Sequence, residues 1–124
     1  MNFLIEAINF FTPNAVVSLS ETKIVEWHDS RPQPTEAEIQ AKIAELEAAE
    51  PLRLLRIERN RLLQETDWEI TRGLEEGLNI DSLKTYRTAL RNLPQQIEAG
   101  EITAPTLNDN GMLVFEHWPE RTDA

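Results

Sequence analysis

Two leucine stripes at helical spacing, separated by about seventeen residues, constrain this chain more than any other feature. In the later block Leu83, Tyr86, Leu90 and Leu93 recur at intervals of three and four. In the earlier one, positions 52, 55, 59, 62 and 66 share a helix face, and 56, 60, 63 and 67 share the face beside it. Each stripe must cover the other to leave water, and the intervening chain is long enough to fold back. The expectation is an antiparallel helical hairpin over residues 52–94. Its first helix runs from about Leu52 to Gln64 behind Pro51. Thr66 and Glu69 match a capping box that opens a short segment broken by Gly73 and Gly77. Asp81 or Ser82 caps the second helix, which stops before Pro94.

Around this hairpin the pattern changes. FLIEAINFF, NAVVSL and TKIVEW are short, rich in Ile, Val, Phe and Trp, and divided by the turn formers TPN and SET, which reads as three strands. HDSRPQP is a proline linker. PTEAEIQAKIAELEAAE opens with Thr35 and Glu38 in capping-box spacing, and carries only the narrow stripe Ile39, Ile43 and Leu46, so it reads as a surface helix. Near the other end, Asn-Gly before MLVF marks a tight turn into a strand whose partner is EITAPTL or an N-terminal edge. The fold class expected is α+β, with a small N-terminal antiparallel β-sheet, an acidic linker helix, the central antiparallel helical hairpin and a C-terminal β-hairpin or strand. By range this gives a β module over 1–30, linker and acidic helix over 31–51, the hairpin over 52–94, and an extended segment over 95–124.

Charge and composition exclude several functions. The formal net charge of −10 opposes nucleic acid and anionic membrane as partners, since both attract a positive surface. Nine acidic residues face three basic ones in 1–51, and six face one in 95–124, whereas 52–94 holds eight basic against seven acidic. The chain has no cysteine, so thiol chemistry and thiolate metal sites are absent. MNFLIEAINFF lacks a basic leader region and carries Glu6, and no run reaches the roughly 20 apolar residues of a membrane span. His28 and His117 have no metal-ligand spacing, the glycines form no phosphate loop, and no serine sits in a nucleophile context. The expectation is a protein that is not an enzyme and uses no metal or cofactor.

Polar residues beside the leucine stripes are the remaining signal. Arg59, Asn60, Asp67, Trp68, Tyr86, Arg87 and Arg91 fall on or next to apolar faces. An arginine taken out of water needs a carboxylate, and Asp67 is placed to meet Arg59, Arg87 or Arg91. Asn60 would donate to carbonyls of the crossing segment, with Trp68 and Tyr86 covering the network. These residues would lock the hairpin in one register, or alternatively line a groove for a carboxylate ligand. With Asp67 enclosed, its removal would cost about 3–5 kcal/mol.

RLLRIERNRLLQETDW followed by YRTALRNLP resembles the pattern of phage tail assembly chaperone-like proteins, R-x-x-RN-x-LL-x-x-(S/T)-DW and then YR-x-ALR-(D/N)-LP. Arg56, Arg59, Asn60, Leu62, Leu63, Thr66, Asp67 and Trp68 fit the first block, and Tyr86, Arg87, Ala89, Leu90, Arg91, Leu93 and Pro94 the second. Asn92 stands where the pattern usually has Asp, and Leu83 where an aromatic is common. FEHWPE is similar to the aromatic-Trp-Pro ending of such proteins. The resemblance implies a non-enzymatic protein that binds a trimeric tail fibre protein in the host cytoplasm, assists its folding or trimerisation, and stays attached in the virion tail. A purely structural fibre-tip or adaptor subunit is the alternative, and an acidic decoy of host nucleic-acid-binding proteins a further one. The exposed N-terminal strands are the candidate partner surface, through Phe3, Ile5, Ile8, Phe10, Val16, Val25 and Trp27, by strand addition. Association of identical chains within the assembly is a further expectation.

Overall fold

The computed structural model describes residues 3–121. The fold is α+β: α1 (Leu4–Phe11), β1 (Val17–Leu19), β2 (Ile24–Trp27), α2 (Glu36–Glu76), α3 (Asp81–Glu98), β3 (Thr106–Leu107) and β4 (Leu113–Val114). The chain forms two compact units, Met1–Glu50 and Pro51–Ala124, with α2 contributing to both.

In the first unit, FLIEAINFF is a helix and not the expected strand. Positions 4, 7, 8 and 11 repeat at helical intervals, and Leu4, Ala7 and Ile8 are buried through that spacing. The imperfect alternation of the apolar residues was the sign of this period, which the β-branched and aromatic content masked. Ile39 of α2 completes the core, and Ile43, Leu46, Ile24, Trp27 and Ala15 pack against it. The narrow stripe of the acidic helix is therefore a core wall and not a surface feature. β1 and β2 form the expected antiparallel hairpin, pairing Val17 with Trp27, Ser18 with Glu26 and Leu19 with Ile24. Val25 has no residue opposite it, which makes a bulge and leaves its side chain in solvent. The capping box forms at α2: the Thr35 N–H donates to Glu38 Oε1 at 3.0 Å, and the Glu38 N–H to Thr35 Oγ1 at 3.1 Å.

Three expected helix boundaries do not occur. Pro51 stands inside α2, Pro94 inside α3, and Thr66 and Asp67 lie within the continuous α2. A proline removes one helix hydrogen bond, but in α3 the apolar stripe continues across it. Leu90, Leu93 and Ile97 keep one face of α3 in contact with its core past Pro94, which is itself buried. Packing outweighs the missing bond. Neither Asp81 nor Ser82 caps α3, whose N-cap is Ile80 without a side-chain cap bond.

Glycines close both helices. At Gly77, φ is +68°, and the Leu78 N–H donates to Gly73 O at 2.9 Å. At Gly100, φ is +75°, with Glu101 N–H to Gln96 O at 2.9 Å and Gly100 N–H to Ile97 O at 3.1 Å. This termination requires a left-handed residue, which glycine adopts without a Cβ clash.

The second unit is the expected antiparallel helical pair. Its core is Leu55 of α2 with Leu90 and Leu93 of α3, bordered by Leu52, Leu62, Leu63, Tyr86 and Ile97. Ile102, Leu113, Phe115 and Trp118 from the C-terminal segment add to it. Phe115 meets Trp118 edge to face at 5.2 Å. β3 and β4 pair Thr106 with Val114 and Leu107 with Leu113, so EITAPTL supplies the partner strand. Asn108 Oδ1 accepts from the Asn110 and Met112 N–H groups and holds the turn.

Gly73 is buried in α2, and a Cβ there would stand 2.3 Å from Ile80 Cγ2. A methyl in this space forces the stiff, branched Ile80 to move. Gly73→Ala is expected to destabilise by about 1 kcal/mol, because overpacking of about 1–3 kcal/mol outweighs the roughly 1 kcal/mol helix gain. Combining it with Ile80→Ala should show favourable coupling in a denaturation cycle, whereas simple additivity would place the strain elsewhere.

Candidate functional site

The polar residues beside the leucine stripes do not converge on one point. Arg87 on α3 makes the joint. Its side chain is only 11% exposed and its Nη2 lies 2.8 Å from Asp67 Oδ1. Its Nη1 donates to Leu63 O at 2.7 Å and to Thr66 Oγ1. Thr66 is 2% exposed, and its hydroxyl donates to Leu63 O at 2.9 Å, the back-bond open to a threonine inside a helix. One guanidinium therefore ties α3 to a single turn of α2 through a carbonyl, a hydroxyl and a carboxylate. Asp67 sits at the outer end, 60% exposed.

The other expected members stand apart. Arg59 donates from Nε and Nη2 to Asn60 Oδ1, at 3.2 and 2.8 Å, so Asn60 accepts from its neighbour rather than donating to loop carbonyls. Arg91 is exposed on α3. Tyr86 packs at the border of the core, but Trp68 is 59% exposed and does not cover the network. Arg56 reaches Glu98 at 3.1 Å with both side chains largely in solvent, a pair of little energetic weight.

Of the candidate partner residues, Ile8 is closed off in the first core at 2% exposure, because α1 is a helix and turns it inward. Phe3 and Trp27 are half-buried, and the Trp27 indole N–H donates to Arg31 O at 2.8 Å. Ile5, Phe10, Val16 and Val25 are exposed, Ile5 and Phe10 on a helix rather than a strand. The Lys42 ammonium lies 3.6 Å from the centre of the Phe10 ring.

Sequence reasoning missed two polar ties. HDSRPQP, expected to be a plain linker, holds a clamp. Asp29 Oδ1 accepts from the Arg31 N–H at 3.0 Å and Nε at 2.9 Å, and Oδ2 accepts from the Val16 N–H at 2.9 Å and Arg31 Nη2 at 3.0 Å. Arg31 Nη2 also donates to Pro13 O at 2.8 Å, so residues 13–16 are pinned to the end of β2. The Asp-x-Arg spacing was the only signal for it. The second tie is Arg121 to Glu69, a two-pronged contact between the C-terminal segment and α2.

The Arg31 guanidinium and N–H, followed by the Val16 N–H, hold the Asp29 carboxyl well below the ordinary carboxylate range. A depressed folded pKa gives stability that is complete above the unfolded value of about 3.9 and is lost as pH falls from there toward the folded value. Asp29→Asn should therefore lower stability at neutral pH and flatten its fall between about pH 4 and 2. Acid titration of the hairpin amides by NMR checks this. An unchanged slope in the variant would show that other carboxylates govern acid unfolding.

Ser18 Oγ and Glu26 Oε2 lie 3.2 and 3.1 Å from His28, both at Nε2. A catalytic relay needs the two partners on opposite ring nitrogens, so this trio does not form one. Among the described residues, no group of three or more His, Asp or Glu side chains is gathered as metal ligands. Among the described residues, no helix is long and apolar enough to cross a membrane.

No curated protein and no solved structure matches the chain. A family model does match part of it, described as phage tail assembly chaperone protein, over residues 52–106. That span contains the Arg87 joint, the core leucines 55, 90 and 93, and the whole of α3. It leaves out the first unit and the FEHWPE ending, and covers less than half of the sequence. The helical pair of this chain is thus similar to the phage tail assembly chaperone proteins.

Proposed function

We propose that this chain is a non-enzymatic assembly chaperone for a phage tail fibre protein, acting in the host cytoplasm and remaining bound in the finished tail. The match over residues 52–106 carries this reading. A tail fibre built as an intertwined β-rich trimer forms slowly and leaves strand edges and apolar surface open while it waits. A small acidic protein with its own exposed apolar groups can cover that surface and keep the complex soluble. The first unit offers such groups in Ile5, Phe10, Val16 and Val25, between 58% and 61% exposed.

Co-expression with a phage tail fibre protein, followed by light scattering of the purified product, tests the reading. A soluble trimeric fibre that forms only in the presence of this chain and co-elutes with it supports a chaperone. A fibre that trimerises alone and still binds makes the chain a structural subunit. Absence of binding overturns both and makes an acidic decoy of host nucleic-acid-binding proteins the next reading to test. Ile5→Lys and Val25→Lys should each abolish fibre binding with the helical circular dichroism intact.

A further inference from the structure

The face of the second unit where Arg87 crosses to α2 carries more positive charge than it pairs. At about 100° per residue, Arg56, Asn60, Leu63 and Asp67 fall within about 60° of one another on α2, and Arg87, Arg91 and Glu98 within about 40° on α3. Two cross-helix pairs bring these faces together as one seam, Arg87 Nη2 with Asp67 Oδ1 at 2.8 Å and Arg56 Nη2 with Glu98 Oε1 at 3.1 Å. Arg59 and Arg91 stand between those pairs. Arg59 is half-buried, and its Nε and Nη2 donate to the neutral Asn60 Oδ1 at 3.2 and 2.8 Å. That bond draws the guanidinium to the seam and leaves its Nη1 end without a partner among the described residues. Arg91 is exposed and meets no carboxylate among them. Lys84, exposed on the same face of α3, adds a further cation. The other arginines of α2 are engaged: Arg61 with Glu58 and Glu65, Arg72 with Glu76, and Arg53 as well. Glu58, Glu65, Glu69 and Glu76 all lie on the opposite side of α2.

Two guanidiniums without a carboxylate, on a chain of net charge −10, mark a strip whose complement is negative. An arginine fork takes a carboxylate through parallel N–H bonds, and Asn60 already holds one of the two forks in place. We propose that the α2–α3 seam receives a short acidic segment of the tail protein, with one carboxylate on Arg59 and another on Arg91. The proposal rests on the chaperone reading for the source of the segment. Charge also bounds its length. From Arg87 to Glu98 the helix rises about 17 Å, the reach of about five extended residues. Asp67 at one end and Glu98 at the other, with Glu101 three residues on, are negative. A long polyanion such as nucleic acid would meet repulsion at both ends and from the acidic surface beyond. A second copy of the chain brings its own charge of −10, which opposes its approach as a whole.

Two readouts separate the seam from the chaperone reading. In the first, the full chain is titrated with end-capped pentaglutamate and followed by amide NMR. Shifts should concentrate at Asn60, Leu63, Arg91 and Gln95, half-complete at about 1–10 mM peptide. Pentalysine should produce none there, and Arg91→Glu should remove those of pentaglutamate with the circular dichroism unchanged. Absence of shifts at the seam, or equal shifts with pentalysine, overturns the proposal. Tighter binding of a single-stranded pentanucleotide would make the seam a phosphate site and overturn it too. Shifts at the same amides on concentrating the chain alone would make a second copy the occupant, with the same consequence. In the second readout, binding to the tail fibre protein is measured with Arg91→Glu and with Arg72→Glu, an equal charge reversal on the far side of α2. Arg91→Glu should weaken binding about tenfold with a reduced salt dependence, and Arg72→Glu should leave it close to wild type. Equal weakening by both would reduce the effect to overall charge and overturn the seam. If wild type fails to bind the fibre while pentaglutamate still maps to the seam, the chaperone reading fails and the site stands.

Discussion

Leu90→Ala is expected to cost about 3–4 kcal/mol, the largest single loss available in the second unit. Leu90 is fully enclosed, with Leu55 equally buried and Leu93 at 2% exposure. Truncating an enclosed leucine forfeits its transfer energy and leaves a cavity, for a total of about 2–5 kcal/mol depending on how far the surroundings collapse. Collapse is limited here because the wall is made of helix-borne leucines, and the C-terminal residues Leu113, Phe115 and Trp118 close the rest. Urea unfolding by far-ultraviolet circular dichroism gives the magnitude, and amide exchange over 51–98 locates it. Leu55→Ala combined with Leu90→Ala should cost less than the sum, since both enlarge one cavity. Leu74→Ala, at a side chain 65% exposed, is the control and should fall within about 0.5 kcal/mol. A loss below about 1 kcal/mol at Leu90 would mean that the leucine stripes do not hold the helical pair together.

Such a result would also test how much of this fold can be read from sequence. The period of Leu83, Tyr86, Leu90 and Leu93 was enough to place α3 and its buried face, because packing follows the stripe directly. The prolines were misleading for the same reason. Pro51 and Pro94 each lack one N–H, a local loss, while in α3 the stripe that runs past Pro94 is a property of the whole element. The first helix went unseen because Ile and Phe favour strands locally, and a helix of eight residues gives the 3.6-residue period little room to show itself. In the polar cluster, opposite charge and the antiparallel geometry put Asp67 within reach of Arg59, Arg87 or Arg91, and the structure pairs it with Arg87. Sequence could not tell which of Arg59, Arg87 and Arg91 would turn inward, because Arg87 and Arg91, four residues apart, differ by only about 40° around α3. The Asp29–Arg31 clamp, signalled only by its Asp-x-Arg spacing, went unread for another reason. Its other partners are the Val16 N–H and the Pro13 carbonyl, backbone groups that no residue pattern encodes.

The polar joint itself supplies a second large effect, and an asymmetric one. Arg87→Ala is expected to cost about 2–3 kcal/mol, and Asp67→Ala about 1 kcal/mol. The sequence alone, with Asp67 taken as enclosed, gives the larger cost of about 3–5 kcal/mol for Asp67. The structure reverses the order, because Asp67 is 60% exposed while the Arg87 side chain is only 11% exposed. Removing Asp67 deletes a screened attraction and leaves the guanidinium with the Leu63 carbonyl and the Thr66 hydroxyl. Removing Arg87 deletes all three contacts and the packed stem that crosses from α3 to α2. Salt distinguishes the two causes. The Asp67→Ala loss should shrink at about 0.5 M sodium chloride, since screening has already weakened the pair, whereas the Arg87→Ala loss should persist. Arg87→Lys should recover less than half of the Arg87→Ala loss, because an ammonium cannot reach carbonyl, hydroxyl and carboxylate from one planar fork. Equal losses for Asp67→Ala and Arg87→Ala, both erased by salt, would make the joint a surface ion pair. The leucines would then set the register of the helical pair alone, leaving Arg87 and Asp67 available to face a partner.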